Sequence, residues 1–210
     1  MTYEHDGMVA SILVTWDRAT GDQREAGTGW YAEAARVTRA ISAETGIDQA
    51  RVTYTLAALS PRNPWNWNVA DTYCYAVASR DGLDRPTATT FERNRRRAWD
   101  AISGDGEWLG VAPKVRAFVA AILGDHDAVV VDVWAYRVAT GDAPPRSGSF
   151  AAKLYQPIAE AYRDAARARG VSPCVMQAVT WLVARDGAPQ SRHAVTIKRG
   201  TPEFVRGLLS

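Results

Sequence analysis

The chain has 210 residues, 47% of them hydrophobic and 23% charged, and carries a formal net charge of +2; this is the composition of a soluble globular protein, long enough for one domain or two intimately packed lobes. Charge so near balance gives no compositional support to nucleic-acid binding, which must rest on local clusters if it occurs at all. Two cysteines, Cys74 and Cys174, cannot build a four-cysteine site, His5, His126 and His193 lack ligand spacing, and no signal-like or membrane-length apolar run is present, so no metal, no cofactor, no membrane partner and a cytoplasmic location are expected.

In chain order the pattern is almost entirely helical. Apolar periodicity covers residues 6–18, and residues 20–29 read as a polar, glycine-rich loop. Trp30, Ala34, Val37 and Ile41 then recur at helical spacing over 30–44 until Gly46 stops them. Asp48 is placed to cap a helix running through Val52, Leu56 and Leu59, and the turn Ser60-Pro61-Arg62-Asn63-Pro64 leads into a helix over 65–79. Residues 82–87 form a connection before a helix over 90–102, capped by Thr89 or Thr90, that bears Arg93, Arg95, Arg96 and Arg97. Further helices fit 113–123, 133–140, 150–168, 173–184 and 202–209, with a flexible connection over 141–148. Only 128–131 and 194–197 look extended, and both are short, so the class is all-α.

Two segments carry chemistry. Leu109-Gly110 followed by Pro113 ends one helix and starts another, since glycine accepts a left-handed turn and proline fits a first helical turn. The new helix would offer free N–H groups and a positive dipole end beside Lys114 and Arg116, a phosphate site. Asp132 stands where the β-branched run 128–131 gives way to a helical pattern. It reads as an N-cap, or as a carboxylate at a cleft mouth that can stabilise positive charge on a deoxyribose losing its base. Lys114 reads as a solvated helix residue or as an amine able to attack an anomeric carbon and leave a Schiff base. The Arg93 to Arg97 cluster, Arg95 and Arg96 included, is either a solvated helix face or a phosphate contact.

The joint pattern of Gly110-Val111-Ala112, Lys114, Asp132 eighteen residues later and Arg137-Val138 resembles helix-hairpin-helix DNA glycosylases of the endonuclease III type. There a hairpin L-P-G-V-G-x-K precedes a segment V-D-T-H-x-x-R-V at the same spacing. Ala112 replaces the hairpin's second glycine, which weakens close approach to a phosphate, and the four-cysteine iron-sulfur loop of many such enzymes has no counterpart here. The resemblance covers about residues 50–140, with the hairpin at about 109–114 and the catalytic segment at about 128–138. Ser60-Pro61-Arg62-Asn63-Pro64-Trp65 also looks like the stretch with which this class pushes a polar side chain into the DNA stack; Arg62 matches the wedge position and Asn63 lies beside it. The same turn, the helix start at Pro113 and residues 124–129 resemble a group of small actinobacterial and phage proteins as well.

The resemblance implies a two-lobed helix-hairpin-helix glycosylase-like fold without an iron-sulfur cluster, one domain over residues 1–210, acting as a monomer on double-stranded DNA. It makes Lys114 and Asp132 catalytic and places Arg62, Asn63, Gly110, Ala112, Arg95, Arg96 and Arg116 on DNA. Trp65, Trp134 and Gln177 are candidates for a base pocket, because aromatic rings stack on an extruded base; Trp67 can stack likewise, and Arg185 and Asp186 can reach the site. Trp30, Trp99 and Trp181 fit apolar helix faces and the core. Two other activities suit the same scaffold: a phage-type transferase that modifies an activated pyrimidine in DNA, and a non-catalytic DNA-binding module.

Overall fold

The structure, a computed structural model, describes residues 3–104, 113–142, 152–186 and 200–209. Among these residues the regular structure is wholly α-helical: α1 (His5–Asp17), α2 (Gly21–Thr45), α3 (Gln49–Leu59), α4 (Trp65–Arg80), α5 (Glu92–Ser103), α6 (Pro113–Ile122), α7 (Val133–Thr140), α8 (Ala152–Arg169), α9 (Pro173–Asp186) and α10 (Glu203–Leu209). None of these helices is long and apolar enough to cross a membrane. The hairpin residues Gly110 and Ala112, and the expected extended stretch 194–197, lie outside the described residues.

Of residues 20–29, expected as a loop, 21–29 instead begin α2. The cause is a capping box: Gln23 N–H donates to the Thr20 hydroxyl at 3.2 Å, and Thr20 N–H donates to Gln23 Oε1 at 3.0 Å. These reciprocal bonds satisfy helix-end donors and outweigh the low helix propensity of Gly21, Gly27 and Gly29. At Asp48 the expected cap is present, its carboxylate accepting from the N–H groups of Ala50 and Arg51 at 2.9 and 3.3 Å. The expected cap at Thr89 or Thr90 is absent. Phe91 is the N-cap of α5 and makes no side-chain cap bond; the Thr90 hydroxyl lies one residue too early and donates to the Pro61 carbonyl at 2.8 Å.

Contacts divide the chain into two compact units, Met1–Ala32 with Arg116–Ala188, and Glu33–Val115 with Pro189–Ser210. The first unit packs α1, α7, α8 and α9 around Ile12, Val131, Tyr136, Ile158, Tyr162, Met176 and Val179. Complete burial of each large side chain contributes roughly 1.5–3 kcal/mol. Small residues on α8 (Ala159, Ala161, Ala165, Ala166) are buried and let neighbouring helices approach. Residues 128–131 are buried but join no strand; the Tyr155 hydroxyl takes the place of a strand partner, donating to Val129 O at 2.8 Å and accepting from Val131 N–H at 3.4 Å. Gly27 permits a close crossing of α2 and α9, since a Cβ there would lie 2.8 Å from Val179 Cα.

In the second unit α3 is the spine, every residue from 52 to 59 being buried. Asn68 on α4 donates to the Leu56 carbonyl at 3.0 Å, and Arg51 donates to the carbonyls of Ala101 and Ile102 near the end of α5. A cation at that end complements the helix dipole as well as the free carbonyls. Tyr73 and Phe204, with ring centroids 5.1 Å apart, hold α10 to α4. Trp99 packs edge-on against Tyr75 in this unit, and Trp30 packs against Trp181 in the first.

Candidate functional site

Asp132 ends the buried stretch 128–131 and caps α7. Its Oδ1 accepts from the N–H groups of both Trp134 and Ala135 at 2.9 Å. Its Oδ2 accepts no hydrogen bond among the described residues, and the side chain is half-buried. One oxygen therefore fixes the rotamer while the other keeps its lone pairs, so the cap and an electrostatic role are compatible in one residue.

Three buried tyrosines feel the charge of Asp132. Burial is the main cause that raises each of their hydroxyls, with the aspartate as a smaller contribution in the same direction. Tyr155 is pushed up to about 12; Tyr31 and Tyr162 are raised also, so all three remain neutral hydroxyls. Tyr31 donates to Gln177 Oε1 at 2.6 Å, fixing the orientation of an amide that is only 4% exposed. Gln177 Nε2 makes no bond among the described residues, leaving an oriented donor on α9. One turn earlier on α9, Cys174 donates its N–H to the His126 carbonyl at 3.2 Å, with Sγ 3.9 Å from His126 Nδ1.

The first unit thus gathers Asp132, Tyr31, Gln177, Tyr155 and Tyr162 through hydrogen bonds and the field of Asp132. Gln177 was among the sequence candidates; Tyr31 was not. The capping box at Thr20 is the signal that would have extended α2 and placed Tyr31 one turn beyond Gly27. Trp134 joins this cluster through its backbone N–H alone, donated to Asp132 Oδ1. It faces a cleft of about 310 Å³ with Arg18, Arg137, Val138, Val183 and Ala184, and Arg137 lies over its ring at 4.7 Å. Arg116, on α6, is exposed.

The other candidates belong to the second unit. Lys114 is half-buried in the first turn of α6. Arg62 is exposed at the tip of the turn before α4, with φ of 58°, the sole non-glycine in the left-handed region among the described residues. Its guanidinium lies 5.1 Å from the Phe91 ring centroid. Asn63 is turned inward, donating to Asp71 Oδ2 at 3.1 Å; the same oxygen accepts the Thr89 N–H at 3.0 Å. Trp65 and Trp67 are half-buried in the first turn of α4.

The arginine cluster of α5 does not present one uniform face. Glu92 binds Arg85, Arg95 and Arg96 at 2.8, 2.7 and 3.1 Å. Arg95 is drawn partly inside, while Arg93, Arg96 and Arg97 are exposed. Hydrogen bonds from Arg85, then from Arg96, hold Glu92 down to about 2. Since an unfolded glutamate titrates near about 4.3, this link contributes fully above that value and is lost as pH falls towards 2. In an NMR titration Glu92 should therefore titrate near the bottom of that window, and Arg85→Ala should move its midpoint upwards; an unmoved midpoint would show that Arg85 does not hold the carboxylate.

No group of His, Cys, Asp and Glu suited to a metal ion occurs among the described residues. No curated protein and no solved structure matches the chain. Its residues 2–188 match one family, described as a family of unknown function (DUF7178), and over that span, which takes in Asp132, Gln177 and the cleft beside Trp134, the chain belongs to that family.

Proposed function

We propose that the chain is a DNA base glycosylase with AP-lyase ability, a two-lobed helix-hairpin-helix protein acting as a monomer on duplex DNA. The observation that carries the reading is the divided carboxylate of Asp132, with one oxygen fixed by two backbone N–H groups and the other unbonded among the described residues. A pre-oriented anion is the group an oxocarbenium-like sugar needs, because it costs no reorganisation as positive charge develops. The spacing from Lys114 to Asp132 and the oriented Gln177 amide support the same reading.

In the proposed reaction the Lys114 nitrogen attacks the anomeric carbon with its lone pair as the glycosidic C–N bond breaks. The base leaves with the bonding pair and takes up a proton. Asp132 stabilises the cationic sugar and serves as a proton acceptor as the lysine nitrogen loses its proton through solvent. The ring C–O bond then opens, the ring oxygen gains a proton and the nitrogen becomes an imine. Gln177 supplies a donor to a base carbonyl, and Arg62 fills the space left by the extruded nucleotide.

Incubation with uracil-containing, oxidised, alkylated and hydroxymethylated DNA, in the presence of borohydride, tests this. Base release and a covalent protein-DNA adduct are expected on at least one substrate, with the adduct abolished by Lys114→Ala. Base release without an adduct would leave hydrolysis and remove the lyase step. Mass added to a base whose glycosidic bond is intact would replace excision by transfer. Neither release, adduct nor modification across the panel would overturn the catalytic reading.

A further inference from the structure

The cleft between α1, α7 and α9 is not used by the chemistry proposed for Asp132 and Lys114, yet its charge is unbalanced. Arg18, at the C-cap of α1, and Arg137, on α7, both line it and both are exposed. Neither guanidinium has a carboxylate within ion-pair distance among the described residues. The acids next to Arg18 and to Ala184 in sequence are engaged elsewhere. Asp17 is bound by Arg169 at 2.6 and 3.1 Å, which holds its carboxyl below the usual range, and Asp186 accepts from the Gln23 amide.

Arg137 is also pre-oriented. The guanidinium carbon lies over the Trp134 ring at 4.7 Å, a contact that restricts the side chain while its N–H groups can make a two-point contact with an oxyanion. The floor beside it, Val138, Val183 and Ala184, is apolar. The cleft volume of about 310 Å³ is at the small end of ligand sites. An anionic head with a compact, partly apolar body fits these demands, which is the character of a phosphate ester on a sugar.

Position distinguishes a strand from a free nucleotide. Arg137 follows Asp132 by five residues on the same helix, about 7.5 Å along its axis. Five residues also turn about 140° around the axis, so a ligand that touches both Arg137 and the Asp132 N-cap must be extended, as a strand is. The open arginines of this cleft also differ from Arg95 and Arg96, whose charge is shared with Glu92. We infer that Arg18 and Arg137 form a phosphate clamp that seats the DNA backbone in the cleft between α1, α7 and α9. The inference rests on the DNA reading but not on base excision.

Fluorescence anisotropy of a labelled DNA duplex, measured over a series of salt concentrations with the full chain, provides the test. Arg18→Ala/Arg137→Ala should weaken binding roughly tenfold at low salt and make the plot of log affinity against log salt shallower by about one unit. Arg137→Lys should lose affinity while keeping the slope, because charge remains and the stacked fork is lost. Arg167→Ala, which removes a charge paired with Asp164, should change neither. Thermal unfolding of each variant checks that the exposed substitutions leave the fold intact.

The clamp is overturned if the double variant keeps the parent affinity and slope, if Arg167→Ala weakens binding equally, or if duplex DNA is not bound at low salt. A nucleoside monophosphate or inorganic phosphate should compete only weakly; displacement of DNA by the monophosphate at concentrations comparable to the duplex would assign the cleft to a free nucleotide and overturn the strand. Binding that depends on both arginines without base release or adduct would remove the glycosylase reading and keep the clamp. Adduct formation with unaltered binding in the double variant would do the reverse.

Discussion

Gly27→Ala should destabilise the protein by roughly 3 kcal/mol, the upper part of the range for overpacking a close contact. The added methyl would stand 2.8 Å from Val179 Cα and 2.9 Å from its backbone nitrogen, well inside the carbon contact distance of about 3.5–4.0 Å. Both neighbours are backbone atoms, so relief requires separating α2 from α9. That separation would also strain the Tyr31 to Gln177 bond one turn further along. At this chain length the loss corresponds to a midpoint lower by roughly 6–12 °C. Gly29→Ala is the internal control: nothing lies within 4 Å of its added Cβ, so the better helix propensity of alanine should stabilise by about 0.5–1 kcal/mol. Two substitutions of the same kind, in one helix, are thus expected to have opposite signs in a denaturant titration. Equal effects would mean that α2 and α9 do not approach as described.

The second large effect concerns rate. Under the proposed base excision, Asp132→Asn should slow base release by about 100- to 1000-fold, the scale found when one pre-oriented electrostatic group is removed from a transition state. Asparagine caps helices about as well as aspartate, and its side-chain carbonyl can take over the two bonds now made to Trp134 and Ala135 N–H. Folding stability should change little. Asp132→Ala should lose the rate and also about 1 kcal/mol from the missing cap. Single-turnover base release, together with the unfolding midpoint of each variant, separates the two contributions. An asparagine variant that releases base at the parent rate would restrict Asp132 to capping.

What could be read in advance follows the range of the interactions involved. Asp48 and Asp132 were legible as caps because a cap is written within three residues, and the limits of α7 follow from its periodicity and from Gly141 at its end. The first turns of α2 were missed although their signal was local; three glycines outweighed the Thr20 and Gln23 pair that closes the capping box. Thr90 was misread because the bond its hydroxyl makes, donated to the Pro61 carbonyl, spans 29 residues. At the candidate site the same rule holds. Gln177 was named from its place in a late helix able to reach the site, whereas its partner Tyr31 is 146 residues away and no local pattern announces the pair. Arg18 and Arg137 share a cleft only because α1 packs on α7, and neither carries a motif that points to the other.

The shared acceptor at Asp71 gives the Arg62 turn a cooperative character. One carboxylate oxygen receives both Asn63 Nδ2 and the Thr89 N–H, and the Thr90 hydroxyl ties the neighbouring residue to the Pro61 carbonyl. The turn before α4 and the segment before α5 therefore have a common free energy of opening. Local fluctuations that release Arg62 from its packing on Phe91 are coupled to exposure of the Thr89 amide, so the two segments behave as one small unit of unfolding within the larger fold.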